Sequence, residues 1–376
     1  MKHHHRLPVV AALGVLFPIT DVPAKAGPVT VFSGPGPYLL PETISQAPAG
    51  FGTKGGNYIV PDFNNLNVWA VPTTGGAPTN IATNFANGTF VQARGGVFLP
   101  SNWGSNAGNF LEVGQVPVTS QAAPVLIVAP NGGGYSVSSF AGITLNAGQP
   151  QIAPSGFGPF GGDVAVPNYD SSSFLSTLTM IAPDGTTTPL ASGASLPLAT
   201  GGAAFAPGGF GTLGGRLFVD GLSSNQLVTV DASGNVTPFA TVPLQPGQPS
   251  PFEMAFSPAG FFPGEGPLLF VSVRGSTAGG GTLGDVLAYD SNGTVVASLR
   301  TDLGLTSFDP RGLLFIPDLS NPAQTDLLIS DASSGRILLF APPSFTVTPE
   351  PSGLALGTAG LLGLAGAAWR RRKRIA

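Results

Sequence analysis

The stretch APGGFGTLGGRLFVDGL, residues 206–222, decides the fold because related segments return along the chain at a nearly fixed interval. Copies begin at Ala153, Ser257 and Asp309, and the successive spacings across the four segments are 53, 51 and 52 residues. Another copy begins at Ala47, two intervals before Ala153, and a degenerate copy, QARGGVFLPSNW, begins at Gln92. Six units of about 52 residues indicate an array of similar structural repeats.

Each unit carries signals for four short strands. One strand leads into a Pro-x-Gly turn, and a Gly-rich turn then leads to a hydrophobic strand such as RLFVD. A third strand ends in a turn such as DASGN, and a fourth, such as VTPFATV, follows. Turns of this type join antiparallel strands. Four strands per unit predict the blades of an all-β propeller, with six blades and, because the second unit is degenerate, seven as the alternative.

The two ends of the repeat array are predicted to close the ring. The last unit lacks a fourth strand, and Gly27 to Gly34, GPVTVFSG, have the character of that strand. We therefore expect them to pair as the outer strand of the blade that contains Leu327 to Phe340, with two simple linkers as the alternative. A large apolar residue repeated at one phase suits a repeated contact between blades. The residues expected to make it are Phe51, Phe157, Phe210 and Phe261.

The N-terminal residues have the layout of a secretory signal peptide. Lys2 and Arg6 provide a basic start, Leu7 to Ile19 is uncharged and mostly apolar, and Ala24-Lys25-Ala26 is a small-residue cleavage site. The predicted domains are therefore a signal peptide at 1–26, a propeller of about six repeats at 27–348 and a C-terminal tail at 349–376.

The C-terminal tail contains an apolar segment followed by a basic cluster. Ser352 to Trp369 is uncharged, and a helix of this length would extend about 27 Å, close to the thickness of the hydrocarbon core of a bilayer. An amphipathic helix or a nucleic-acid patch is the alternative, and the lack of a polar face argues against it. Basic residues beside a span stay in the cytoplasm, so a transmembrane helix is predicted with the rest of the chain outside. The basic residues are Arg370, Arg371, Arg372, Lys373 and Arg374.

Pro349-Glu350-Pro351, the apolar segment and the basic cluster, in this order, resemble the PEP-CTERM sorting architecture of bacteria that make exopolysaccharide. The resemblance covers Val347 to Ala376, and Thr348 stands where the family commonly has Val. It implies that Pro349, Glu350, Pro351 and the basic cluster form a sorting signal for an exosortase. It also implies export by the Sec machinery of a Gram-negative bacterium, a transient membrane anchor, and delivery to the cell surface or extracellular matrix.

The composition of Gly27 to Thr348 excludes several kinds of site. This segment holds seven basic and seventeen acidic residues, a formal balance of −10, which argues against a nucleic-acid partner. The chain has no Cys, and all three His lie in the predicted signal peptide. Ser-His-Asp and Cys-His catalysis, a His general base and His-ligated zinc are therefore excluded for the mature protein. No catalytic residue, metal site or cofactor is predicted.

Propellers place their sites along the central channel, so the innermost strands are informative. The predicted channel is neutral except for Glu253, the candidate channel residue. The repeats resemble the broad NHL-like and lactonase-like propeller class, whose metal-dependent hydrolases need convergent carboxylate or amide ligands, here Glu253 with Gln151 and Gln92. The predicted innermost runs are Ser45-Gln46, Thr89–Gln92, Gln151-Ile152, Gly202–Phe205, Glu253–Phe256 and Thr306–Phe308.

Two sets of aspartates are assigned to local structure. The first set precedes Gly in predicted turns and lacks the further carboxylates of a calcium loop, so turn hydrogen bonding is expected. The second set is expected to end strands. The first set is Asp184, Asp231, Asp290 and Asp331, and the second is Asp62, Asp163, Asp220 and Asp318.

Aromatic residues beside Gly- and Asn-rich loops are candidate glycan contacts, since exposed rings suit sugars; packing between blades is the alternative. They are Trp69, Trp103, Tyr58 and Tyr169. Two functions remain. The absent His and the small ligand set favour a non-catalytic binding or scaffold propeller, associated with exopolysaccharide. The alternative is an exported metal-dependent hydrolase of lactonase type.

Overall fold

The computed structural model describes residues 30–34, 40–83, 85–86, 89–90, 92–115, 123–143, 146–276, 282–299 and 303–347. The predicted signal peptide and the tail at 349–376 lie outside these residues. Within the described ranges the chain forms 28 strands and five short 3-10 segments, and none of its helical segments is long and apolar enough to cross a bilayer. The 3-10 segments are Gly52–Lys54, Ser101–Asn106, Gly158–Phe160, Gly211–Leu213 and Pro342–Ser344.

The strands form six blades, numbered along the chain. The first strand, β1 (Thr30–Ser33), belongs to the last blade. Blade one contains β2 (Ser45–Gln46), β3 (Tyr58–Asp62), β4 (Asn67–Val71) and β5 (Thr79–Thr83). A small hairpin follows, β6 (Phe85–Ala86) with β7 (Thr89–Phe90). Blade two contains β8 (Gln92–Phe98), β9 (Phe110–Gln115), β10 (Ala123–Asn131) and β11 (Gly134–Ile143). Blade three contains β12 (Asn146–Ala147), β13 (Gln151–Ile152), β14 (Val164–Tyr169), β15 (Ser176–Ile181) and β16 (Thr187–Ser192).

The other three blades have the same antiparallel order. Blade four contains β17 (Thr200–Phe205), β18 (Leu217–Gly221), β19 (Gln226–Val230) and β20 (Val236–Thr241). Blade five contains β21 (Pro251–Phe256), β22 (Leu269–Val273), β23 (Asp285–Tyr289) and β24 (Val295–Leu299). Blade six contains β25 (Pro310–Pro317), β26 (Thr325–Asp331) and β27 (Arg336–Phe340), with β1 as its outer strand. A last strand, β28 (Phe345–Val347), adds to blade five. The predicted six-bladed, all-β propeller is therefore confirmed.

The ring closes as predicted, because β1 pairs antiparallel with β27. Thr30 stands opposite Leu339, and Val31 stands opposite Leu338. The ring of Phe32 then packs edge-on against Tyr58 of blade one, with ring centroids 5.7 Å apart. The N-terminal strand thus supplies the fourth strand of blade six and part of the seam between blades six and one.

The Phe residues after Pro-x-Gly pack between blades, as predicted. Each ring is buried and meets an aromatic ring of the next blade at a centroid separation of 4.8–5.1 Å. Burying one such side chain stabilises the fold by about 1.5–3 kcal/mol. The pairs are Phe51 with Phe98, Phe157 with Phe205, Phe210 with Phe256, and Phe261 with Phe315.

Blade two uses Trp103 for the same purpose. This residue lies in the 3-10 segment that joins β8 to β9, and blades one, three, four and five have their Phe in the corresponding connection. Its indole Nε1 donates a 2.8 Å hydrogen bond to the carbonyl of Gly162 in blade three. Its ring also packs against Phe140, with centroids 5.6 Å apart. The degenerate unit therefore keeps the contact between blades with a different aromatic residue.

The chain leaves the propeller along blade five. Strand β28 pairs antiparallel with β24, with Phe345 opposite Leu299 and Val347 opposite Ala297. The buried side chain of Phe345 packs against Phe270, with ring centroids 5.6 Å apart. This strand covers the outer edge of the blade, which would otherwise present unpaired backbone groups.

The innermost strands of blades two and six differ from the prediction. In blade two, β8 begins at Gln92, where the predicted run ends. In blade six the predicted run is Thr306–Phe308, but the strand is Pro310–Pro317, so that Pro310-Arg311-Gly312 lies inside a strand. Gly312 is required there because a Cβ would lie 2.3 Å from the carbonyl oxygen of Glu42. The other four predicted runs lie in innermost strands.

Candidate functional site at the channel mouth

Polar side chains gather at one end of the central channel. The innermost strand of each blade begins, and the neighbouring antiparallel strand ends, at this end. Residues from all six blades meet there because the first strands of adjacent blades lie side by side. We define the channel-mouth cluster as Glu42, Arg94, Gln149, Asp220, Phe252, Glu253, Arg274, Asp309 and Arg311.

Arg311 is the centre of a buried ion-pair network. Its Nη2 and Nε donate hydrogen bonds of 2.9 and 3.2 Å to Oδ2 of Asp309. Its Nη1 lies 3.6 Å from Oε1 of Glu42, a residue with no exposed surface. Asp309 is held in turn by the backbone N–H of Gly275 at 3.2 Å. The charge of Arg311 is therefore balanced inside the protein.

Two further arginines stand beside this network with weaker partners. Arg94 Nη1 lies 3.9 Å from Oε1 of Glu42, and Arg274 Nε lies 3.8 Å from Oδ1 of Asp309. Both distances exceed those of a hydrogen bond. Arg274 Nε is buried and has no hydrogen-bond partner among the described residues. These two guanidinium groups keep donors available at the mouth.

The ring of Phe252 lies under all three guanidinium groups. Their Cζ atoms are 4.4 Å (Arg311), 5.6 Å (Arg274) and 5.9 Å (Arg94) from its centroid. Arg94 also lies 4.3 Å from the ring of Phe63. Aromatic faces attract cations, so Phe252 helps to hold three like charges together.

Glu253 contributes a buried carboxyl group to the channel. Gln149 Nε2 donates a 2.7 Å hydrogen bond to its Oε1. Burial raises the pKa of Glu253 well above its ordinary value, the backbone N–H of Leu313 opposes this, and the charges of Glu42 and Asp220 add to it. Burial therefore favours the protonated form of Glu253.

Asp220 ends β18 and also faces the channel. Its Oδ1 accepts hydrogen bonds from the backbone N–H groups of Gly202 (2.7 Å) and Gly201 (3.3 Å), while Oδ2 has no partner among the described residues. Burial raises its pKa to about 7, against the effect of these two N–H groups. Gly202 must lack a side chain, because a Cβ would lie 2.8 Å from Oδ2 of Asp220 and 3.0 Å from Cα of Glu253.

The interior of the mouth has little free space. A cavity of about 10 Å³, roughly the room for one water molecule, lies between Arg94, Gln149, Phe252 and Glu253. Burial and the charge of Arg311 lower the pKa of Arg274, and burial raises the pKa of Glu42 against the pull of Arg311. Both shifts have the same main cause, which is the burial of charged groups at the mouth.

The predicted channel is thus partly corrected. Glu253 lies in the channel as expected, but the lining is strongly charged and not neutral. Gln151 and Gln92 do not join Glu253: Gln149 bonds it, and Gln92 accepts a hydrogen bond from Gln115. The charged residues were missed mainly because Arg94 and Arg311 belong to the two blades with misplaced innermost strands. The sequence DPRG at residues 309–312 has an acidic and a basic residue on either side of Pro310, and this pattern could have indicated charged residues in the channel.

The aromatic prediction is wrong for three residues. Tyr58 and Trp69 are buried with residues of blade six at the closing seam, and Trp103 is buried between blades two and three. Their rings are not available to stack on a sugar. Tyr169 is partly exposed at the end of β14, near the channel mouth, and remains a candidate glycan contact.

The turn aspartates make the expected local hydrogen bonds. Asp231 Oδ1 accepts from the backbone N–H groups of Ser233 and Asn235, and Asp290 Oδ1 accepts from those of Asn292 and Thr294. Asp220 differs from the prediction, since its carboxyl group belongs to the channel mouth in addition to ending a strand.

The C-terminus matches a family of sorting signals. Residues 347–373 match the PEP-CTERM protein-sorting motif. The match begins at Val347, the last residue of β28. It implies export and membrane-anchored sorting to the cell surface, with processing by an exosortase. Pro349, Glu350, Pro351 and Arg370 to Arg374 lie outside the described residues. No curated protein matches the chain.

Solved structures share the fold. A calcium-binding protein, regucalcin, from Agrobacterium tumefaciens str. C58 is 12% identical, with a TM-score of 0.55 over 84% of this chain and 93% of that one. A gluconolactonase from Xanthomonas campestris is 13% identical, with a TM-score of 0.54 over 85% of this chain and 96% of that one. At these identities the likeness is one of fold, a six-bladed propeller that resembles lactonase and regucalcin-like proteins.

The channel mouth does not fit a divalent cation such as the calcium that the Agrobacterium protein is described as binding. Cations at this site would face three guanidinium groups, and the carboxylates of Glu42 and Asp309 already pair with them. The described residues contain no group of three or more His, Cys, Asp or Glu side chains with the geometry to hold a metal. A divalent ion bound by these carboxylates would have to displace Arg94 or Arg311 from Glu42.

Proposed function

We propose that this chain is an exosortase-sorted protein of a Gram-negative cell surface or extracellular matrix, and that its propeller binds a ligand there without catalysis. Residues 1–26 serve as a signal peptide for Sec export. Residues 27–348 form the delivered propeller, and 349–376 form a transient membrane anchor with a transmembrane helix. The motif at 347–373 supports the sorting step. Exopolysaccharide is the proposed neighbour of the delivered protein.

Binding is favoured over catalysis by the state of the channel mouth. Asp309 and Glu42 pair with arginines, and Glu253 is closed off beside a cavity of about 10 Å³. A substrate cannot reach Glu253 through so small a space without rearrangement. A ligand therefore meets the outer rim, where Arg94, Arg274 and Tyr169 have exposed surface.

A hydrolase is the second candidate, and one observation favours it. Burial raises the pKa of Glu253 well above its ordinary value, and a raised pKa helps a carboxyl group to act as a general acid. In that case Glu253 would be the catalytic residue and Gln149 would orient it. The metal-dependent form of this alternative has less support, because the carboxylates of Glu42 and Asp309 already pair with Arg311.

A single preparation tests both candidates. The full chain, purified in detergent, is assayed for hydrolysis of aldonolactones with and without added divalent ions, and for retention of acidic and neutral oligosaccharides. The binding function predicts oligosaccharide retention and equal, background hydrolysis by the wild type and Glu253→Gln. Hydrolysis above background that is lost in Glu253→Gln would overturn it in favour of the hydrolase.

A further inference from the structure

The cationic charge of this propeller is concentrated at one place. Only seven Lys and Arg residues lie between Gly27 and Thr348, against seventeen Asp and Glu. Three of these seven, Arg94, Arg274 and Arg311, lie within 6 Å of the centroid of one ring, Phe252. The internal counter-charges of these three guanidinium groups are the carboxylates of Glu42 and Asp309.

The internal counter-charge is incomplete. Asp309 is fully engaged by Arg311 through two hydrogen bonds. Glu42 is fully buried, yet neither of its carboxylate oxygens has a hydrogen-bond partner among the described residues, and its arginine neighbours stay at 3.6 and 3.9 Å. Among the described residues, Arg274 Nε thus lacks a hydrogen-bond acceptor, and Arg94 stays 3.9 Å from its carboxylate partner.

The side chains of Arg94 and Arg274 also have surface exposed to solvent at the mouth. The side chain of Arg274 is 31% exposed and that of Arg94 is 17% exposed, whereas Arg311 is buried at 4%. An acceptor that arrives from solvent can thus reach the first two, while Arg311 remains committed to Asp309. Guanidinium forks match carboxylate geometry and form charge-assisted hydrogen bonds.

Resting on the proposed binding function, we infer that the channel mouth binds the carboxylate of an acidic sugar between Arg94 and Arg274, above Phe252. Phe63, which is half-buried under Arg94, offers an apolar ring face beside the anion. A sugar acid fits this pairing of charge and ring better than a bare inorganic anion, which would use the arginines alone. The water-sized cavity below keeps the sugar at the rim.

The test compares three probes by isothermal titration calorimetry on the full chain in detergent: D-glucuronate, D-glucose and inorganic phosphate. Glucuronate is expected to bind, more weakly as salt is added, and glucose is not. Arg274→Gln should weaken glucuronate binding at least tenfold. Arg216→Gln, the same change at a partly exposed arginine before β18 at the other end of the strands, should leave it unchanged.

A variant that binds glucuronate more tightly excludes misfolding as the cause of the changes in affinity. Glu42→Gln removes the internal competitor for Arg94 and Arg311 while it keeps the shape of the side chain, so it should tighten glucuronate binding several-fold. Affinity unchanged in both Arg274→Gln and Glu42→Gln overturns the inference, and so does phosphate binding without glucuronate binding.

The inference and the proposed function fail in different ways. Retention of neutral oligosaccharides without glucuronate binding overturns the anion site and leaves a binding propeller. Lactone hydrolysis that depends on Glu253 overturns the non-catalytic function, while arginine-dependent glucuronate affinity would still establish the anion site.

Discussion

Gln149 Nε2 donates a 2.7 Å hydrogen bond to Oε1 of Glu253, and this bond joins blade three to blade five across the channel mouth. Both side chains are buried. The bond satisfies one oxygen of a carboxyl group whose pKa is raised by burial. Blade four, which lies between them in the ring, makes room by having Gly201 and Gly202 at the start of its innermost strand. The polar interior of the mouth therefore depends on groups whose charge changes with pH.

The first prediction is that stability falls as pH rises from about 4 to about 7. Asp220 is protonated in the fold up to a pKa of about 7 but ionises near 3.8 when unfolded, so unfolding releases a proton between these values. The free energy of unfolding then falls by up to about 1.4 kcal/mol per pH unit in that window. The raised pKa of Glu253 acts in the same direction. Urea denaturation at pH 5, 6, 7 and 8 measures this slope.

The contribution of Asp220 can be isolated by substitution. Asp220→Asn retains an acceptor for the N–H of Gly202 but cannot ionise, so its stability should depend less steeply on pH than that of the wild type. Glu265→Gln, on a loop of blade five, should keep the wild-type slope. A slope in Asp220→Asn as steep as in the wild type would refute the assignment.

The second prediction concerns the close approach at Gly202. A Cβ at this position would lie 2.8 Å from Oδ2 of Asp220 and 2.9 Å from the carbonyl oxygen of Phe252. Gly202→Ala should therefore lower the free energy of unfolding by about 1–3 kcal/mol through overpacking. Gly208→Ala is the matched control, since a Cβ there meets nothing within 4 Å. Equal stability of the two variants would show that the mouth is more open than described.

The third prediction concerns the exit strand. Phe345 is buried against blade five, whereas Thr346 beside it is exposed. Phe345→Ala should destabilise the propeller by about 3–5 kcal/mol, and Thr346→Ala should change stability by less than about 0.5 kcal/mol. Thermal unfolding of the two variants tests whether β28 is an integral strand. If β28 did not pack against blade five, Phe345→Ala and Thr346→Ala would unfold at similar temperatures.

The fourth prediction separates packing from glycan contact. Trp103→Phe loses the hydrogen bond to the carbonyl of Gly162 and should cost about 1–3 kcal/mol. Oligosaccharide retention by the folded variant should be unchanged, because the indole is buried. Tyr169→Ala should instead reduce retention with little loss of stability. Reduced oligosaccharide retention by the folded Trp103→Phe variant would indicate that Trp103 contacts the glycan.

The sequence predicts the fold well because the repeat carries physical information at every copy. The Pro-x-Gly-Phe segments mark both a turn and a contact between blades, so Phe51 and Phe210 could be placed from spacing alone. The closing strand β1 could be recognised because its apolar pattern matches the strand that blade six lacks.

The channel-mouth site is less predictable, because it depends on which residues of each innermost strand face the channel, and no sequence motif marks them. Glu253 was found since its blade follows the repeat closely. Arg94 and Arg311 were missed because a shift of a few residues moves a side chain from a turn into the channel. Trp69 and Trp103 stand beside loops in the sequence, but the ring places those positions at seams between blades, which local sequence does not reveal.

The basic cluster of the tail gives the fifth prediction. Replacement of Arg370, Arg371, Arg372, Lys373 and Arg374 by neutral residues removes the charges that hold the end of the span in the cytoplasm. The variant should be processed poorly and lost from the membrane fraction. Fractionation and sizing against the wild type measure both effects, and identical behaviour of the two chains would contradict a sorting role for the cluster.

Intact mass spectrometry of the protein recovered from the cell surface tests the central claim most directly. The account predicts a species that begins at Gly27 and ends close to Pro349-Glu350-Pro351, just after β28, and that is absent from a strain without its exosortase. A surface species that retains residues 352–376, or one unchanged when the exosortase is deleted, would contradict sorting through this tail.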